Sequence, residues 1–324
     1  MRTPIAFEFG REIGIMRWTW RTTDGEYKPP GLSLKMKGVW RVLFIFSFTA
    51  LLVSCSQTTI PKTPAGTPTG ATGQAHPINR YPTVSPGHLP TANLSTPFTT
   101  VRASSKVDVP ILLYHHISKD TIPDRYYVDP QTFDQQMAWL SAHGYQTITE
   151  ARLAEVIRSG GDLPDRPVII TFDDGDADLY MGAYPILQKY GFIGVAFLIT
   201  AGIDTPGEVT SDQVISLINA GWEIGSHTVH HVNLVKYPSK RKLEIQDSMK
   251  FLETKFGIKV KSFAYPFGTM NQAAAQLVAD SGYTSAAGLG QSIVQSPLDL
   301  YYLSRIEIHG TFTMDQFTSL MPWK

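Results

Sequence analysis

Cysteine is nearly absent from this 324-residue chain: there is one, Cys55, so no internal disulfide framework can form. Excess charge of either sign is missing as well. Lys and Arg total 28, Asp and Glu total 28, and the formal net charge is zero, which leaves no electrostatic footprint for nucleic acid as a partner. A bilayer-spanning hydrophobic run is also lacking, since the apolar stretch at residues 42–53 (VLFIFSFTALLV) falls short of the roughly 20 residues a membrane helix needs.

That short run does have the parts of a secretory signal. Lys35, Lys37 and Arg41 precede it, and it exits through Ser54 to Cys55. A cysteine at that place resembles a bacterial lipobox, which implies cleavage before Cys55, lipidation of its sulfur and a membrane anchor. The expectation is a bacterial lipoprotein facing the cell exterior or the periplasm. The signal peptide is read as residues 36–55, starting at Met36, and residues 1–35 as a mis-called start or an extension. Residues 56–105 are rich in Thr, Pro, Ser, Gly and Ala without a sustained period. Such a segment buries too little apolar surface to offset its chain entropy, so it is read as a disordered linker.

A folded domain is expected over residues 106–324, and the motifs below make it the catalytic one. Apolar runs of strand length occur at 109–114 (VPILLY), 167–172 (PVIITF), 194–199 (GVAFLI), 222–224 and 262–265. Helical spacing appears at 130–143, 149–159, 180–190, 211–220, 239–256 and 271–281. Alternating strands and helices imply a parallel sheet covered by helices, and repetition on this scale favours a barrel or a partial one. Chemistry in such folds sits where the strands end.

Four strand ends carry polar residues. Asp173 and Asp174 follow 167–172, and two adjacent carboxylates repel unless a cation relieves them, although Asp-Gly is also an ordinary turn signal. His227, His230 and His231 follow the strand at 222–224. His227 and His231 are four apart, so one helical turn would bring both rings to one side, with His227 and His230 as the competing pair. With an Asp from another strand end, the set becomes His₂Asp, which leaves coordination positions open for water and substrate. Pro266-Phe267-Gly268 ends the strand at 262–265, and His115-His116 ends the first strand. Either could equally be a structural terminus or a rim histidine.

Together these pieces resemble the polysaccharide deacetylase family, carbohydrate esterase family 4 or the NodB-homology domain, over about residues 106–312. Thr171-Phe172-Asp173-Asp174-Gly175, His227-Thr228-Val229-His230-His231 and Tyr265-Pro266-Phe267-Gly268 are similar to its three leading motifs, in order. The resemblance implies an α/β fold, a distorted or partial (β/α) barrel of the polysaccharide deacetylase type. It implies Asp173 as general base and Asp174, His227 and His231 as ligands of one divalent metal ion, Zn²⁺ first and Co²⁺ or Ni²⁺ as alternatives. It further implies the backbone N–H of Phe267 as oxyanion donor and Thr228 as the hydroxyl that steadies the His loop. Ala264 stands where many members carry Arg, and Arg305 is the candidate replacement. The stretch 109–117 looks like the rearranged subgroup that includes poly-N-acetylglucosamine deacetylases, which points to His115 as general acid, with His309 as the alternative acid.

The implied activity is metal-dependent hydrolysis of N-acetyl groups on an amino-sugar polysaccharide, whether poly-N-acetylglucosamine, peptidoglycan or a chitin-like polymer. The rival readings are an esterase acting on O-acetyl groups, as on xylan, and a catalytically dead, lipid-anchored polysaccharide-binding protein. Acetylated polysaccharide and the membrane are the expected partners, nucleic acid is not, and the protein is expected to be a monomer.

Overall fold

The computed structural model describes residues 98–119 and 125–324. The signal segment with Cys55, residues 1–35 and most of the linker lie outside the described residues.

Seven parallel strands make the main sheet: β1 (Ile111–Tyr114), β2 (Pro167–Phe172), β3 (Val195–Leu198), β4 (Glu223–Ser226), β5 (Ser262–Ala264), β6 (Ser285–Ala287) and β7 (Ile306–Glu307). Their spatial order is β6-β5-β4-β3-β2-β1-β7, with Gln146–Thr147 adding a short parallel pair to β2. The helices that connect and cover them are α1 (Pro130–Ala142), α2 (Glu150–Ser159), α3 (Tyr184–Lys189), α4 (Ser211–Asn219), α5 (Ser248–Phe256), α6 (Gln272–Asp280) and α7 (Met314–Ser319). This is a curled parallel half-barrel of the α/β class.

β1 and β2 are buried at every position, which is why they read as unbroken apolar runs. Alternate residues still part to two faces. Leu112, Tyr114, Ile170 and Phe172 join the core that α1 supplies with Phe133, Met137 and Leu140. Ile111, Ile169, Val195 and Phe197 join a second core that α2 supplies with Leu153, Val156 and Ile157. Helix starts carry local locks: Thr149 accepts from the Arg152 N–H, and Thr210 with Gln213, like Thr313 with Gln316, forms a reciprocal capping box.

The sheet's two edges are joined by one segment. Residues 300–305 bond to β6 and the loop after it, through Ala286 N–H to Leu300 O, Gly288 N–H to Leu303 O and Gly290 N–H to Arg305 O. The chain then passes to β1, where Ile308 N–H donates to Leu113 O and β7 pairs with Leu112 and Leu113.

Three features differ from the sequence reading. Residues 98–101, expected within the linker, form a strand, because Phe98–Val101 pairs antiparallel with Gly161–Pro164. The helices expected at 180–190 and 239–256 each contain a π-helical segment, Leu179–Ala183 and Leu243–Asp247, before the regular α-helix begins. The stretch after Ser226 is no helix: residues 228–230 form a turn. Among the described residues no helix is long and apolar enough to cross a membrane.

Candidate active site

Strand register brings the polar strand ends together. Tyr114 is level with Phe172 and Leu198 with Ser226, so His115, Asp173 and His227 emerge at the same end of the sheet. Period-two alternation sends Asp173 to the same face as Ile169 and Thr171. It is 4% exposed, and its N–H donates to Tyr114 O.

Arg305 meets Asp173 there. Its Nη1 and Nη2 donate to Asp173 Oδ1 and Oδ2 at 2.6 and 2.7 Å, and its Nε donates to Gly288 O at 3.0 Å. Arg305 is only 1% exposed. Burial pushes the Asp173 carboxyl up, but the Arg305 guanidinium, helped by His227, more than reverses this and holds it well below the usual carboxylate range. Asp173 is therefore an ionised, oriented acceptor.

Asp174 has the opposite environment. Burial, then repulsion from Asp173 and Asp176, pushes its carboxyl up to about 7. Its Oδ1 is buried and has no hydrogen-bond partner. Instead it faces His227 Nε2 at 3.6 Å and His231 Nε2 at 3.5 Å. One donor atom from each of the three residues falls within 4.8 Å of the others. The His227 Nδ1–H donates to Ala264 O at 2.8 Å. A carbonyl can only accept, so this contact fixes the tautomer and leaves the Nε2 lone pair toward Asp174. Burial also lowers the His227 pKa to about 4 and moves His231 in the same direction, which favours the neutral rings that metal ligation requires. An orphaned carboxylate oxygen facing two unprotonated imidazole nitrogens fits a cation better than it fits empty space.

The two rings converge through a turn, not through helical spacing. Thr228 and His231 take left-handed backbone at φ 71° and 56°, and Thr228 Oγ1 accepts from the His231 N–H at 2.9 Å. His230 turns away and contacts Glu244. Of the six non-glycine residues with positive φ among those described, Asp174, Thr228, His231 and Phe267 are in this site. Backbone strain of this kind persists only where the surroundings over-determine it. Gly175 is needed in the same turn: its φ is +99°, and a Cβ there would approach Leu198 Cδ2 to 2.9 Å.

A cavity of about 540 Å³ opens above these residues, lined among others by His115, Arg125, Tyr126, Asp173, Asp174, His227, His231, Phe267 and Arg305. His115 stands edge-on to Tyr126 with ring centroids 4.8 Å apart, and burial lowers its pKa below the usual imidazole value. Phe267, at φ 61°, places its ring 4.5 Å from that of His231. His309 is not among the lining residues: it lies against Glu307 and stacks on Phe312. Glu244 gives little signal in the sequence, being a single carboxylate between Leu243 and Ile245 in a helical stretch.

Residues 160–286, which hold both aspartates, the histidine turn and Phe267, match the family model described as polysaccharide deacetylase. Over this part the chain is similar to the polysaccharide deacetylase family. Deacetylase relatives extend the likeness beyond the matched segment. YxkH of Bacillus subtilis, assigned by name to the polysaccharide deacetylases, is 29% identical over 209 residues, 64% of this chain and 74% of the relative. The poly-beta-1,6-N-acetyl-D-glucosamine N-deacetylase of Staphylococcus aureus is 29% identical over 201 residues, 56% of this chain and 68% of the relative. Among solved structures, the Streptococcus pyogenes deacetylase PplD in complex with acetate shares the fold with a TM-score of 0.61 and 26% identity, covering 67% of this chain and 99% of that one.

Proposed function

We propose that the chain is a metal-dependent hydrolase that removes N-acetyl groups from an amino-sugar polysaccharide. The observation that carries this reading is the orphaned Asp174 Oδ1 facing two histidine nitrogens, directly beside a second aspartate clamped by Arg305. Asp174, His227 and His231 would hold the ion, for which Zn²⁺ suits the N/O donor set and Co²⁺ or Ni²⁺ are alternatives. A divalent cation there supplies Lewis acidity and a water acidic enough to act near neutral pH.

The protein's own groups do the rest. Asp173, held below the usual carboxylate range by Arg305, accepts a proton from the attacking water. The water oxygen adds to the acetamide carbonyl carbon, and the Phe267 N–H stabilises the oxyanion that develops. His115, after taking up a proton from solvent, donates it to the sugar nitrogen as the C–N bond breaks, since an unprotonated amide anion is a poor leaving group. Acetate and a free amino sugar result. A second cavity of about 480 Å³, lined by Asn233, Val235, Lys236, Thr269, Met270 and Tyr302, shares Gly268 with the catalytic one and would give an extended chain room beyond the reacting unit.

The deciding assay is acetate release from N-acetylglucosamine oligomers and from acetyl-xylan, with and without chelator, for the wild type and Asp173→Asn. Chelator-sensitive release from the N-acetylated substrates is expected, with a loss of about 10²-fold or more in the variant. Release from acetyl-xylan alone would make the protein an O-acetyl esterase, and no release from either would leave a binding protein. We also propose that residues 36–55 direct export and that Cys55 is lipidated. Detergent-phase partitioning that Cys55→Ser abolishes would support this.

A further inference from the structure

The turn that carries His227 and His231 does not hold itself. Two of its non-glycine residues are left-handed, a conformation that costs roughly 1–2 kcal/mol per residue. Its own bond from the His231 N–H to Thr228 Oγ1 closes only one end.

Further support comes from the loop after β3, where the Thr200 and Ala201 N–H groups donate to Thr228 O and Val229 O at 3.1 and 3.0 Å, and from the π-helical segment Leu243–Asp247. Glu244 is 1% exposed and aims its carboxylate into the turn. Its Oε2 accepts from the N–H groups of Val229 at 2.9 Å and His230 at 2.8 Å, and its Oε1 lies 3.0 Å from His230 Nδ1. The wider π turn releases backbone carbonyls from the α-helical ladder. Side chains take these up: the Ser248 hydroxyl reaches Glu244 O at 2.8 Å, and the Tyr283 hydroxyl donates to Ile245 O at 2.9 Å. Ser248 Oγ is also 2.7 Å from Ser226 Oγ, which accepts from the Thr228 N–H. The π segment thus grips the turn from both ends, and Glu244 is its central contact.

We propose that Glu244 is a positioning residue for the metal ligands, and that its carboxylate sets the affinity of the site for its cation by holding the turn in the geometry that faces both imidazoles toward Asp174. This rests on the reading of Asp174, His227 and His231 as a cation site. Glu244 does not line the catalytic cavity, so its effect runs through the backbone of residues 229 and 230.

The test is Zn²⁺ titration by calorimetry into the metal-free full chain, with hydrogen exchange read at Val229 and His230, for the wild type, Glu244→Gln, Glu244→Asp and Glu244→Ala. The wild type should bind one ion. Glu244→Ala should bind about 10- to 100-fold more weakly, as the loss of supporting contacts does in metal sites. The Val229 and His230 amides should exchange faster while those of β2 stay protected. Glu244→Asp is one methylene too short to serve all three donors and should lose about tenfold. Glu244→Gln keeps one oxygen for both N–H groups, its amide can donate to His230 Nδ1, and its affinity should stay within about threefold of the wild type. Should Glu244→Ala fail to fold, Glu244→Asp decides. Wild-type affinity in the aspartate variant, or an alanine variant with loosened amides and unchanged affinity, would overturn the proposal. A wild type that takes up no ion would instead remove the cation site itself.

Discussion

Replacing Arg305 with methionine strikes the most constrained contact of the site. Arg305 and Asp173 are 1% and 4% exposed, and the guanidinium makes two parallel bonds to the carboxylate at 2.6 and 2.7 Å. Methionine fills much of the same volume without charge. Asp173 then stays buried without the group that holds it ionised, and Gly288 O loses its donor. Breaking a buried pair from one side costs about 3–5 kcal/mol, mostly the penalty of the stranded charge. Denaturant unfolding should show that loss for Arg305→Met. Arg305→Met with Asp173→Asn should lose clearly less than the two single changes summed, by about 1–3 kcal/mol, because the amide leaves no charge to strand. Arg305→Lys should not rescue, since an ammonium cannot form the two-pronged contact. Acetate release should fall about 10²-fold or more in each variant. Two results would refute the reasoning: Arg305→Met within about 1 kcal/mol of the wild type, or strict additivity in the double variant.

Other consequences can be measured as directly. Glu150 is fully buried, accepts from Ser285 Oγ at 2.7 Å, and is pushed up from 4.5 to about 8 by burial and then by Glu223. The folded state thus keeps a proton that the unfolded chain releases above its ordinary glutamate pKa. The associated stability is fully present below that value and is lost as pH rises through about 8, with a slope approaching 1.4 kcal/mol per pH unit. Unfolding free energies at pH 6 and pH 9 should diverge for the wild type and much less for Glu150→Gln, and equal slopes would contradict this. His115→Gln should lower acetate release about 10²- to 10⁴-fold while Zn²⁺ affinity holds, whereas His309→Gln should change release less than about twofold; the reverse ranking would move the acid role to His309. Zn²⁺ at about a hundred times its Kd should add about 2.7 kcal/mol to the unfolding free energy, and Asp174→Ala should abolish that gain.

What could be read before folding was known follows from physical repeat and residue type. VPILLY and PVIITF announce strands because burial on both faces leaves no polar position to confuse the pattern. The residues that follow them then announce the strand ends. β6 is only Ser285–Ala287, too short and too small in side chain to stand out, and so the seam formed by residues 300–308 was invisible too. The interval between His227 and His231 is compatible with a helix or a turn, and the left-handed backbone at Thr228 and His231 decided for the turn. One inserted residue in a π segment hardly disturbs a 3.6-residue hydrophobic period, so the helix that delivers Glu244 looked regular. Arg305 was named through family likeness, but its bond to Asp173 spans 132 positions and only the folded sheet reveals it.

That long span has a consequence for synthesis. A ribosome that has released everything through residue 299 has delivered both aspartates, both ring ligands and His115, yet the guanidinium that tames Asp173 is still missing. Until residues 300–308 lock into the seam, two neighbouring carboxylates stand unneutralised and the sheet keeps an open edge. A nascent or truncated chain of that kind should lack a formed pocket, so the site takes shape only once residues 300–308 have been made and docked.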